Sequence, residues 1–337
     1  MSDMTAAEPG SPAGAPKPGP SAGPPARSPA RSPARSPARS ARRRRLAALE
    51  PLLWIGPAIA LIAVVVLWPI VTMVQTSFQN ITPLGITIGS AGLSNFSQVF
   101  KNPNLPGILV RTVIWVAASV AITMVISLGL AQLYNQRFPG RRFARWAIIA
   151  PWAASVMMTA LIFRWVLQPE NGVVNVFLHQ LGLVQRYNSN QADWLGRPDS
   201  ALVWMIGVAV FVSLPFTTYV LLAGLQSIPG ELFEAARVDG ASSWHAYRRI
   251  TLPLLRPAFL VALVINLMNV FNSFPIIWEM TRGGPGYETS TTTVFMYDLK
   301  GTFVGQAAAM SIVNFTLVVI IVLVFLRLNR WNRQEAA

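Results

Sequence analysis

The sequence predicts an all-α integral membrane protein with six transmembrane helices and a cytoplasmic helix–Gly–helix segment. Three observations carry that reading. First, 53% of the 337 residues are hydrophobic and only 12% are charged, about half the charged share of a soluble domain. Second, six windows hold no Asp, Glu, Lys or Arg: Leu52–Val74, Thr112–Tyr134, Trp146–Phe163, Ala201–Leu225, Pro257–Trp278 and Ala307–Leu326. Each is 18 to 25 residues long, and about 20 helical residues cross a hydrocarbon core. Third, the arginines sort to one side of those windows.

Residues 1–50 come first. They are rich in Pro, Ala, Ser, Gly and Arg, with an Arg-Ser-Pro-Ala repeat starting at Arg27, Arg31 and Arg35. Frequent proline blocks helix, and nothing here could bury a core, so the tail reads as disordered. Its Arg42–Arg45 run stands just before the first window, where basic residues are drawn to anionic lipid. Membrane lipid rather than nucleic acid is therefore the expected partner of the chain's net charge of +14.

The remainder, 51–337, reads as the membrane domain. Backbone polar groups cannot stay unpaired in lipid, so each window is expected to be a helix. Pro57, Pro69 and Pro151 predict kinks, and Ala118, Ser119, Ser127 and Gly129 allow close helix contact. With the N-terminus in the cytoplasm, 20 Lys and Arg lie inside and seven outside. The positive-inside rule then puts both termini in the cytoplasm.

The segment between the fourth and fifth windows, 226–256, carries the most information. Pro229-Gly230 breaks the preceding helix, and Glu231–Val238 holds helix formers with acid in the first turn. Asp239-Gly240 is a turn signal. Ser242 or Ser243 can cap a second short helix, expected to end before Pro253. Leu232, Phe233 and Ala236 form an apolar stripe. Such an element suits a partner's groove; the alternative is a plain surface loop returning the chain to the membrane.

Polar residues inside the windows are costly and face a pathway or glue helices together. Asn266, Asn269, Asn272 and Ser273 share one helix face in the fifth window, and Ser213, Thr217 and Thr218 flank Pro215 and Phe216 in the fourth. Amides bond hydroxyls and rings such as Phe216 pack on the apolar face of a sugar, so the set suits a neutral polyol. The candidate pathway residues are Ser213, Phe216, Thr217, Asn269, Asn272 and Ser273.

Several classes are disfavoured. There is no cysteine. None of Lys17, Lys101 and Lys300 sits in a phosphate-binding Gly-Lys-Ser/Thr loop. His179 and His245 lack metal-ligand spacing. The windows hold no carboxylate pair for acid–base chemistry. The chain is not expected to be an enzyme or to bind a metal or cofactor.

The cytoplasmic segment resembles a family motif. Permease subunits of binding-protein-dependent ABC importers carry Glu-Ala-Ala, three residues, Gly, nine residues, then Ile-x-Leu-Pro. Here Glu234-Ala235-Ala236, Gly240 and Ile250-Thr251-Leu252-Pro253 keep that spacing. Leu225–Pro229, Thr281–Gly286 and Asn171–Asn175 are similar to the carbohydrate-uptake, maltose-type branch. The resemblance covers roughly Leu52 to Arg330 and leaves out the tail. It implies an EAA motif acting as a coupling helix that docks on an ATPase through Glu234, Ala235, Ala236, Asp239, Gly240, Ile250, Leu252 and Pro253. It also implies a second permease subunit, two ATP-binding subunits and an extracytoplasmic sugar-binding protein, with ATP and Mg on the ATPase. The location implied is the bacterial plasma membrane. Ala209, one turn before Ser213, looks like a departure from maltose permeases. The resemblance predicts a sugar permease; a permease for another neutral or weakly charged solute is the alternative.

Overall fold

The computed structural model describes residues 55–183 and 193–334, with side chains described as far as residue 327. The 1–50 tail and Arg186 lie outside the described residues. The chain divides into two compact units, 1–62 and 63–337. Of the first, residues 55–62 are described and helical; the fold below is that of the second.

An apolar helix, α1 (Ile55–Ser77), is long enough to cross a membrane. It contains a π-helical turn at Ala63–Leu67, and Pro69 sits in the first turn of the α-helical stretch that follows. From Ala63 on, Ser77 is its one buried residue, so its apolar side chains look outward to lipid or a partner. A two-stranded antiparallel hairpin follows, β1 (Gln79–Ile81) and β2 (Thr87–Ser90). The short helix α2 (Ser94–Phe100) clamps it: the Asn95 amide donates to the Ser77 and Gln79 carbonyls at 2.9 and 3.0 Å.

Helix α3 (Leu105–Asn135) runs unbroken for 31 residues. It packs on α7 (Pro198–Gln226) and α10 (Leu252–Phe271), and these three helices form the core. Trp115, Met205, Leu221 and Leu255 are fully buried there. The Trp115 indole donates to the Val270 carbonyl at 3.0 Å. A Cβ on Gly224 would come within 2.4 Å of the Ala258 side chain, so glycine is what lets α7 and α10 approach closely. A second cluster (Val99, Ile108, Phe295, Met310) joins the start of α3 to α12 (Thr292–Lys300) and α13 (Val304–Gln334).

The six-window pattern is modified at two places. Among the described residues, five helices are long and apolar enough to span a membrane. The third window is instead two helices, α4 (Arg141–Ala153) and α5 (Val156–Val166). The interruption falls at Ala154–Ser155, beyond Pro151, because Ser155 is extended and its hydroxyl caps the Met158 N–H at 3.2 Å. The fifth window also breaks. α10 ends at Phe271, Asn272 and Ser273 leave the helix, and α11 (Phe274–Thr281) resumes with Pro275 in its first turn. Between α5 and α7 lies α6 (Val173–Gln180).

Candidate functional site

Two places gather the residues nominated from sequence. The first is the segment between α7 and α10. Helix α8 (Gly230–Val238) has Glu231 in its first turn and Arg237 in its last, matching the helix dipole at both ends. It stops at Asp239. Gly240 takes φ +76°, and the Ala241 N–H closes on the Ala236 carbonyl at 2.9 Å, a left-handed C-terminal closure. A Cβ on Gly240 meets nothing within 4 Å, so glycine is needed there for backbone conformation, not for space. Ser242 then caps α9 (Ser243–Ala246), accepting from the His245 N–H at 3.3 Å.

The second helix does not end before Pro253, as expected. α9 passes through a π-helical turn at Tyr247–Thr251 directly into α10. The Leu252 N–H reaches back five residues to the Tyr247 carbonyl, and Pro253 follows immediately, where the widened π turn accommodates the ring inside a continuous helix. Ile250 and Leu252 therefore belong to a rigid stem and not to a separate short helix.

Helix α8 has no buried residue, and Val238 and Trp244 are exposed. Ala236, Asp239, Gly240, His245, Arg249 and Ile250 line a concavity of about 570 Å³. Glu234 and Ala235 are exposed on the outer side of α8. The segment is tied to the core through the Gln132 amide of α3, which donates to the Tyr247 hydroxyl at 2.5 Å.

The second place is a cavity of about 700 Å³ where the two broken helices meet α7. All six nominated pathway residues line it: Ser213, Phe216 and Thr217 from α7, and Asn269, Asn272 and Ser273 from the end of α10. Ala209 lines it too. Thr217 donates to the Ser213 carbonyl at 2.9 Å, and the Asn272 amide donates to the Met268 carbonyl at 2.9 Å. Trp152 stands beside Phe216, with ring centroids 6.4 Å apart.

Asn266 is the exception to this satisfied pattern. It lines the cavity, is 2% exposed, and neither its amide nitrogen nor its oxygen has a hydrogen-bond partner among the described residues. A buried amide left unmade costs about 1–3 kcal/mol, so Asn266 is held at a cost in the cavity wall. Pro215, buried inside α7, removes a donor from the Phe211 carbonyl. All three walls thus interrupt their helical hydrogen bonding at the level of the cavity.

Trp152 and Ser155 were not nominated from sequence. The signal was present: proline, then a serine before an apolar run, marks a helix stop and restart. An uncharged window of the right length masked it. Arg164 donates to the Glu279 carbonyl of α11 at 3.2 Å. The Trp194 indole donates to the Asn175 side-chain oxygen at 2.7 Å.

Apolar helices long enough to cross a membrane, a cavity between broken helices and an exposed helix–Gly–helix foot are the features a transport permease needs. The chain belongs to the binding-protein-dependent transport system inner membrane component family, whose pattern matches residues 123–334. A probable ABC transporter permease protein of Brucella suis is 36% identical over 287 residues, covering 85% of this chain and 98% of that one. The sulfoquinovosyl glycerol transport system permease protein of Agrobacterium fabrum is 33% identical over 283 residues, covering 82% and 89%. The fold matches a solved bacterial ABC transporter involved in the import of the acidic polysaccharide alginate. There the TM-score is 0.73 at 24% identity, covering 85% of this chain and 98% of that one. The chain is a multi-pass permease subunit.

Proposed function

We propose that this chain forms half of the translocation pathway of an ATP-driven importer for a mono-, di- or oligosaccharide. The observation that carries the substrate class is the unpaired, buried amide of Asn266 in a cavity that also presents Ser213, Thr217, Asn269, Asn272 and the rings of Trp152 and Phe216. Hydroxyls satisfy amides, and rings cover the apolar face of a pyranose. The relative named for sulfoquinovosyl glycerol supports the same class.

Alternating access would expose this site to each side in turn. A second, non-identical permease subunit completes the pathway, two ATP-binding subunits dock on residues 230–253, and an extracytoplasmic binding protein delivers the sugar. ATP and Mg belong to the ATPase, and this chain binds no cofactor of its own. Together α4 and α5 make the sixth crossing; their 13 and 11 residues span about 36 Å if collinear. Both termini then face the cytoplasm of the bacterial cell, with 1–50 as a separate tail.

The test begins with calorimetric screening of the cognate binding protein against sugars. Uptake of the best ligand by the reconstituted complex follows. Saturable, ATP-dependent uptake that falls with Asn272→Ala and Asn266→Leu supports the reading. Binding of a non-sugar solute alone, with uptake indifferent to both variants, overturns it.

A further inference from the structure

The corner between α3 and α4 holds a concentrated and uncompensated positive charge. Arg137, Arg141, Arg142 and Arg145 fall within nine residues, and the sequence contains no Asp or Glu between Glu50 and Glu170. Arg145 has a structural task. Its guanidinium donates to the Tyr134 carbonyl at 2.9 Å, while the Tyr134 hydroxyl donates to the Ala144 carbonyl and the Tyr219 hydroxyl to the Arg145 carbonyl. These bonds lock the start of α4 against the ends of α3 and α7.

The side chains of Arg137, Arg141 and Arg142 have no hydrogen bond or ion pair among the described residues. With Phe138 and Gly140 they line a concavity of about 390 Å³. The Arg141 Nε is buried there without an acceptor. α4 begins at this concavity with no side-chain cap and no acid in its first turn. Its Arg141 and Ala144 N–H groups bond back to Phe138 and Gly140, and those of Arg142 and Phe143 find no acceptor among the described residues. Three arginines and an open helix N-terminus therefore border one hollow, a set of groups suited to a phosphate.

What comes next along α4 identifies the source of that phosphate. Phe143 and Trp146 are 79% and 73% exposed, and they begin the outward apolar face of the helix within one turn of the arginines. A soluble phosphate has no use for those rings. A phospholipid uses both: its headgroup in the hollow and its acyl chains along Phe143 and Trp146. The site also follows the end of α3, a helix long and apolar enough to cross a membrane.

We propose that the α3–α4 corner is a binding site for an anionic phospholipid, its phosphate held by Arg137, Arg141, Arg142 and the free N–H groups of α4. Only the leaflet, the cytoplasmic one, rests on the topology proposed above. Lipid retention is read without any sugar, so the two readings fail separately.

The assembled complex, purified from nanodiscs of mixed phosphatidylglycerol and phosphatidylcholine, can be weighed by native mass spectrometry. The wild type is expected to keep phosphatidylglycerol in preference to phosphatidylcholine. Arg137→Gln/Arg141→Gln/Arg142→Gln together should lower that retention at least about tenfold, given the pull of each basic residue on anionic lipid. The corresponding triple Lys variant, which keeps the charge, should recover part of it and shows that loss is not misfolding. Phe143→Ser/Trp146→Ser should also lower retention while the arginines remain. Equal retention of the two lipids by the wild type overturns the proposal. So does full displacement by excess inorganic phosphate with the aromatic variant unchanged, which makes the hollow a free-phosphate site. Loss of the ATPase subunits instead of lipid from the Gln variant overturns it as well, in favour of a protein contact.

Discussion

At its two ends helix α10 serves opposite arrangements. Its start grows out of the α8–α9 foot, where α8 has no buried residue and Val238 is 89% exposed. Its end breaks at Asn272–Ser273 beside a cavity whose Thr217 and Asn266 are 1% and 2% exposed. The foot satisfies its own backbone and leaves its side chains open; the cavity buries Thr217 and Asn266 and leaves the Asn266 amide unpaired. On the proposed function, the foot would offer a protein a surface folded in advance, and the cavity would keep a polar deficit for a guest to remove.

Breaking the foot should have the largest effect. Gly240→Val forces a β-branched residue to φ +76°, at a local cost of about 1–3 kcal/mol. We expect uptake to fall at least tenfold while the subunit still inserts and assembles, read as transport against ATPase activity of the purified complex. Normal transport by an assembled Gly240→Val complex would end the coupling assignment.

Asn266→Leu sharpens the other side of the comparison. Removing a buried, unpaired amide should raise the melting temperature of the sugar-free complex by a few degrees. Uptake should drop about tenfold, which corresponds to about 1.4 kcal/mol of lost substrate interaction. A variant that loses stability along with uptake would show that Asn266 serves the fold.

Asn272→Ala should be milder, since that side chain is exposed and already bonded to the Met268 carbonyl. A three- to tenfold rise in half-saturating binding-protein concentration, with maximal uptake nearly unchanged, is expected if one hydrogen bond of about 1 kcal/mol is lost. An unchanged uptake curve removes Asn272 from the pathway.

The smallest effect should come from outside both regions. The Tyr287 hydroxyl donates to Asp298 at 2.5 Å. That bond, then burial and the Asp298 charge, push its pKa up to about 12. A raised pKa stabilises the protonated form, so the contribution is whole below pH 10 and lost as pH approaches 12. Tyr287→Phe should lower the melting temperature by roughly 2 °C at pH 8, with the gap closing above pH 10.

The foot was legible in the sequence because its signals are local: Pro229-Gly230, the acid at Glu231, Gly240, and a serine cap at Ser242. The continuation of α9 into α10 was not, because a π turn lets a helix pass Pro253 and leaves no composition signature. The membrane windows were legible from the absence of charge alone. Their two breaks were masked: Pro151 and Ser155 signal the first, but they lie in an uncharged window of full length, and apolar residues such as Ala154 suit an interrupted helix as well as a whole one. The pathway side chains of α7 and α10 followed from their shared face. Trp152 and Ser155 needed the third dimension, which brings the α4–α5 break across from the α10–α11 break.

Helix α3 has a mechanical consequence. It runs 31 residues without interruption, about 46 Å. Gln132 near one end holds Tyr247 of the foot, and Trp115 further along holds the Val270 carbonyl two residues before the α10 break. A rigid rod gripped at both places is a lever. Tilting it by about 10° displaces Trp115 relative to Gln132 by about 4 Å, by the geometry of a straight helix over the roughly 25 Å between them. A push at the foot would thus arrive as a sideways pull on the residues that shape the cavity wall.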